Sequence, residues 1–131
     1  MPSERILLCV DDAARRRLYG AALLASPDLD VVAATAADEA GVRAAAARQP
    51  DAVLVDAARP GVEGAMLVAR LRDVAPHAGV LAVAGTSDRP RTVLARPLTA
   101  DRYVDPDVAI AGLLEVLVEF LRDRRGGRVA S

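Results

Sequence analysis

Five short strand-like runs, four of them mainly apolar and each parted from the next by a stretch of helix length, constrain the fold of this 131-residue chain more than any other feature. The runs cover residues 5–10, 29–34, 52–55, 79–84 and 102–104. Runs this short, bounded by turn residues, suit strands rather than buried helices. Between them lie segments with helical signals. The first, 13–25, has Asp12 placed as N-cap and Ser26-Pro27-Asp28 as its end. The second, 38–48, is alanine-rich and closes at Gln49-Pro50, and the third, 64–74, sets Leu67, Leu71 and Val74 at helical spacing. Arg59-Pro60-Gly61 reads as a loop. A fourth helix starts at Asp88-Arg89-Pro90 and is stopped or kinked by Pro97, so it is short or irregular. The last is expected from Val108 to about Arg122, capped by Asp107.

Strands alternating with helices, joined by right-handed crossovers, give a doubly wound five-stranded parallel sheet with helices on both faces. The wholly apolar run 79–84 reads as a central, buried strand. No internal repeat or second domain is visible. Residues 1–124 are expected to form one domain and 125–131 a flexible tail, with Gly126-Gly127 ending regular structure.

The core must be aliphatic, because the chain has no Trp, one Phe (Phe120) and two Tyr (Tyr19 and Tyr103). A formal charge of -1 gives no overall pull toward nucleic acid or an anionic membrane. The single cysteine, Cys9, lies in the first apolar run and reads as a small buried hydrophobe. The N-terminus is too polar, and its first apolar run too short, for a signal peptide, and no stretch suits a bilayer span. A cytoplasmic protein is expected.

The first and third runs stop at carboxylates: Asp11 and Asp12 after residue 10, and Asp56 after residue 55. In an open parallel sheet the strand C-termini gather at one edge, where ligands bind. Three carboxylates there would suit a hard divalent cation and supply an aspartyl nucleophile. Taken singly, Asp12 is equally an N-cap and Asp56 a strand-end turn residue. All seventeen basic residues are arginine, so no lysine can serve the site.

In this order the chain resembles a response-regulator receiver domain, the aspartyl-phosphate switch of two-component signalling. The resemblance spans essentially the whole length. It rests on the Asp11-Asp12 pair, on Asp51-Ala-Val-Leu-Val-Asp56, and on the loop Asp56-Ala57-Ala58-Arg59-Pro60-Gly61-Val62-Glu63-Gly64. It implies a flavodoxin-like fold with strand order 2-1-3-4-5. It also implies Asp56 as phospho-acceptor toward a phosphohistidine donor on a histidine kinase. Magnesium would be held by Asp12 and Asp56 directly, by Asp11 through water and by the backbone carbonyl of Ala58. The stretch Ser26-Pro27-Asp28-Leu29-Asp30-Val31-Val32 resembles receivers that precede helix-turn-helix output domains.

The switch positions depart from the family. Receivers place Ser or Thr at the end of strand four, where this chain has Ala84, with Thr86 and Ser87 two or three residues late. The lysine that ends strand five has two alignments. Arg96-Pro97-Leu98 mimics Lys-Pro-Phe but leaves almost no fourth helix and puts Pro106 in the last one, at about 3 kcal/mol. The preferred alignment sets Tyr103 at the switch aromatic and Asp105-Pro106 at Lys-Pro, so a carboxylate stands where a cation belongs.

These features predict an atypical receiver acting by protein–protein contact, with weak or absent phospho-switching. The alternative is a conventional receiver whose DNA-binding domain lies outside this chain. A phosphohydrolase is disfavoured, because Ala58 takes the position of a general acid two residues after the nucleophile, so no enzyme is expected. His77 reads as a loop residue, and Arg15-Arg16-Arg17 as a solvated face from which Arg15 could reach the acid cluster. Arg122, Arg124, Arg125 and Arg128 suit a helix C-terminus. The last helix is apolar on more than one face, which predicts an exposed patch and a homodimer through the last two helices.

Overall fold

The computed structural model describes residues 3–58, 63–84, 100–108 and 110–130. The elements in chain order are β1 Glu4–Val10, α1 Ala13–Leu24, β2 Leu29–Thr35, α2 Glu39–Arg48, β3 Ala52–Asp56, α3 Ala65–Val74, β4 Gly79–Val83, β5 Arg102–Val104 and α4 Ile110–Ala130. The strands form one sheet, all parallel, in the order β2-β1-β3-β4-β5. This is the doubly wound arrangement the alternation predicts. The expected loop 59–61, the short helix from Asp88 and the Arg96-Pro97-Leu98 alignment fall outside the described residues. The neighbouring β5 forms at Arg102–Val104, where the preferred alignment requires it.

Strand side chains alternate between the two faces, so each apolar run feeds two cores. Ile6, Leu8, Val10, Leu54, Leu81, Val83 and Val104 pack toward α1 and α4, against Tyr19, Leu23, Leu113, Leu117, Phe120 and Leu121. Leu7, Cys9, Val53, Val55, Val80 and Ala82 pack toward α2 and α3, against Val42, Ala45, Leu67, Val68 and Leu71. Burial on both sides explains why these strands read as unbroken apolar runs. On the second face α2 lies very close to β1: a Cβ on Gly41 would stand 2.7 Å from Cys9 Sγ and 3.1 Å from Thr35 Oγ1. Glycine is therefore required there by packing.

Cys9 is fully buried, and its thiol is pushed up to about 12, chiefly by burial. The thiolate is the reactive form, so an alkylating reagent at mildly alkaline pH should leave the native protein unlabelled and modify it fully in denaturant. Labelling of native protein at the rate of a free thiol would contradict this packing.

The ends of the sheet are stapled by aspartates just ahead of two strands. Asp51 Oδ2 accepts the Arg5 N–H at 2.8 Å. Asp101 Oδ2 accepts the Val80 N–H at 2.8 Å, and the Asp101 N–H returns to the Val80 carbonyl at 2.9 Å.

The last helix differs from expectation at both ends. It starts at Ile110, not Val108, because Asp105-Pro106-Asp107 forms a turn of its own, with Asp105 Oδ1 accepting the Asp107 N–H at 3.0 Å. It then runs through Gly126-Gly127 to Ala130, over most of the expected tail 125–131. Glycine inside a helix costs about 1 kcal/mol, which does not by itself stop one. The expected apolar patch is also largely absorbed. Ile110, Leu114, Val116 and Val118 are partly buried against the core, and among the described residues Val108 is the one exposed large hydrophobic in this region. Two of the C-terminal arginines are held by specific partners: Arg124 donates to the His77 carbonyl at 2.9 Å, and Arg125 pairs with Glu4 at 3.3 Å. No helix among the described residues is long and apolar enough to cross a membrane.

Candidate functional site

The sheet's connections run in opposite directions on either side of the β1/β3 boundary, the place where open α/β sheets form a crevice. The acidic residues stand there. Val10 pairs with Asp56 across the two strands, and the Asp11 N–H bonds to the Asp56 carbonyl at 3.0 Å. Beside them an open cleft of about 240 Å³ is lined by Asp11, Ala37, Ala57, Ala58, Glu63 and Leu67.

The three carboxylates share one end of the sheet but are held by different groups. Asp11 joins two loops: Oδ1 accepts the Ala37 N–H at 2.8 Å and Oδ2 the Ala58 N–H at 2.7 Å. Asp12 caps α1, accepting the Arg15 N–H at 3.0 Å, as its position before the helix predicts. Asp56 is engaged from α1. Its Oδ2 accepts Arg15 Nε at 2.9 Å and the Tyr19 hydroxyl at 2.8 Å. Arg15 also donates to the Tyr19 hydroxyl, and its guanidinium lies 5.3 Å from the ring centroid. Arg16 turns back to the Val10 carbonyl at 2.7 Å. The arginine triplet is thus not simply a solvated face.

Arg15, Tyr19 and Asp56 act as one charge-assisted unit. The Asp56 side chain is only 16% exposed, against 38% for Arg15, so the pair is partly shielded from solvent. Burial works against the Arg15 charge, but the hydrogen bond and charge of Asp56 outweigh it, and the guanidinium pKa moves up. The Tyr19 hydroxyl is pushed up to about 12, by burial first and then by Asp56, against the opposing pull of Arg15. Tyr19 therefore stays a neutral donor at ordinary pH. Sequence reasoning did not assign Tyr19 to the site. The available signal was its position one turn after Arg15 and two turns after Asp12, which puts the three on the same side of α1.

Hard carboxylate oxygens suit magnesium chemically. No three acidic, histidine or cysteine side chains among the described residues meet at one point, so magnesium here would rest on one or two carboxylates and complete its shell with water, as that ion usually does. Asp11 is bound to backbone N–H groups and Asp56 to Arg15 and Tyr19. Ala58 lies at the site, but what the structure displays toward Asp11 is its N–H.

The three switch positions lie at the ends of β4 and β5. Ala84 is buried, and its N–H bonds to the Val104 carbonyl at 2.9 Å. Tyr103 is half-buried against the α2/α3 core, its hydroxyl accepting the Ala100 N–H at 3.0 Å. Asp105 is exposed and serves the turn before α4.

Comparison with known proteins agrees with this geometry. The profile of the response regulator receiver domain matches residues 7–118. A CheY-like receiver domain protein from Methanospirillum hungatei superposes with a TM-score of 0.77 at 23% identity, over 95% of this chain and 98% of its own. A two-component response regulator of the LuxR family from Aurantimonas gives 0.74 at 27% identity, over 93% and 87%. The receiver domain of a sensor histidine kinase from Pseudomonas aeruginosa, solved with magnesium in its active-site cleft, gives 0.69 at 20% identity, over 91% and 98%. No curated protein sequence matches the chain.

Proposed function

The chain belongs to the response regulator receiver domain family of two-component systems, and from that premise we propose that it is an atypical receiver, a cytoplasmic, non-enzymatic module that signals by protein–protein contact within a phosphorelay. Asp56 is its phospho-acceptor position, facing a histidine kinase or another signalling protein, and phosphorylation is weakly coupled, or uncoupled, to conformational change.

The observation that carries this reading is that the residue at the end of β4 is an alanine, Ala84. Ala84 offers no hydroxyl to follow a phosphoryl group, and its N–H is committed to Val104. Tyr103 and Asp105 support it, since the hydroxyl of one and the carboxylate of the other serve local backbone groups. An Asp56 phosphate would arrive with charge but would find no hydroxyl on Ala84 to pull toward it. The hard oxygens of Asp11, Asp12 and Asp56 suit magnesium in kind, and Asp56 would exchange an Arg15 or Tyr19 contact for it where the ion takes Oδ2. Homodimerisation through the last two helices is part of the proposal. With the apolar side chains of α4 largely turned to the core, its support is the open, mainly charged groove along α4 formed by Leu114, Glu115, Val118, Glu119 and Arg122.

A second reading is favoured by the likeness to LuxR-family response regulators. In it the chain is a conventional phosphorylated receiver whose output domain lies outside these residues. One experiment separates the two. The protein is incubated with Mg²⁺ and a small phosphodonor, then its intact mass and oligomeric state are measured. The atypical reading expects little or no adduct, or an adduct lost in Asp56→Asn, with no change of oligomeric state. A stoichiometric, Asp56-dependent adduct that shifts oligomeric state would establish the conventional reading instead.

A further inference from the structure

We propose that Arg15 is the resident counter-ion of Asp56, competing with a divalent cation for that carboxylate and so setting how much metal the site demands. The proposal deepens the receiver reading and rests on it only for identifying this edge as a cation site. It does not require Asp56 to be phosphorylated.

The argument begins with the oxygen. Arg15 Nε and the Tyr19 hydroxyl both bond Asp56 Oδ2, at 2.9 and 2.8 Å. A cation bound directly to that oxygen would displace these donors or lie in contact with a guanidinium of like charge. The repulsion is only partly screened, because the Asp56 side chain is 16% exposed, although Arg15 at 38% keeps some contact with water. The Arg15 side chain is also held in place. It donates to Tyr19, lies against that ring, and starts from the helix turn that Asp12 caps through the Arg15 N–H. A pre-placed guanidinium bonded to a carboxylate is a strong charge-assisted contact.

The same positioning accounts for the carboxylates failing to converge. Asp56 is drawn toward α1, while Asp11 is tied across the sheet edge to Ala37 and Ala58. A chain without lysine has thereby placed a positive charge at its acidic centre from α1, rather than from the end of β5. Arg15 is a positioning and specificity-determining residue for this site.

The test is calorimetric titration of Mg²⁺ alone into the full chain and its variants. Arg15→Ala should bind Mg²⁺ at least about tenfold more tightly than the wild type, because the competing charge is gone. Arg15→Gln, which keeps much of the side chain's packing, should show the same gain and answers the question if the alanine variant does not fold. The gain should vanish in the double variant Arg15→Gln/Asp56→Asn. Equal Mg²⁺ affinity in wild type and folded Arg15→Gln overturns the proposal, as does a gain that survives loss of the Asp56 carboxylate. A missing phosphoryl adduct would leave this titration unaffected, so failure of the functional reading and failure of the counter-ion are told apart.

Discussion

Phe120→Ala should lower stability to unfolding by about 3–5 kcal/mol, read from denaturant midpoints at unchanged slope. Phe120 is the chain's single phenylalanine, 5% exposed in a core otherwise built from aliphatic residues and Tyr19. It packs with Leu113, Leu117 and Leu121 of α4 against the sheet. The guanidinium groups of Arg102 and Arg124 lie over its ring, 5.9 and 5.7 Å from the centroid. The gap left by alanine cannot readily close. Gly79 already approaches the ring so nearly that a Cβ there would stand 2.7 Å from Cζ, so β4 has brought its barest residue to this contact. Two arginines would also lose the apolar face they rest on. For a domain whose whole stability is of order 5–15 kcal/mol, such a loss leaves a marginal fold. Phe120→Leu, which restores most of the volume, should cost about 1 kcal/mol. A Phe120→Ala loss no greater than that of the leucine variant would mean that α4 does not seal this face.

The residues that were legible in the sequence and those that were not differ in the range of their interactions. β1, β3 and β4 were readable because burial on both faces makes each a continuous apolar run. Asp12 and Asp38 were readable as helix starts because capping is local, each side chain accepting an N–H two or three residues on. Asp11 and Asp56 were placed together because strand ends of a parallel sheet share an edge. Contacts that depend on how one element is turned against another left no such mark. The rotation of α1 that brings Arg15 and Tyr19 onto Asp56 depends on packing beneath it, so the three arginines read as a solvated face from which only Arg15 was given a reach to the acid cluster, and Tyr19 was passed over. The continuation of α4 past Gly126-Gly127 failed as a local rule for a related reason, since two glycines lower helix propensity without forbidding the helix. Asp101 was the largest omission, because its partners lie about twenty to thirty residues away along the chain.

Asp101→Ala should therefore destabilise the protein by about 3 kcal/mol, because it removes a largely shielded ion pair and a backbone acceptor together. Its carboxylate is 10% exposed and meets Arg72 of α3, itself 14% exposed, at 3.2 Å, and Arg124 of α4 at 3.8 Å. The same side chain accepts the Val80 N–H. Alanine would strip Arg72 of this shielded counter-charge and leave a β4 donor without its acceptor, and both losses carry a desolvation cost. Asp101→Asn should fall between wild type and alanine, since an amide oxygen can still accept from Val80 but cannot pair with a guanidinium. The damage should be uneven. β5 has only three residues, and Asp101 fixes its start against β4, so amide hydrogen exchange should accelerate most at Arg102, Tyr103 and Val104. Those residues set where Tyr103 and Asp105 stand relative to Ala84. If exchange in β5 stayed as slow as in β1 while global stability fell, Asp101 would be acting through α3 and α4 alone. Its bond to Val80 would then not be what seats the strand.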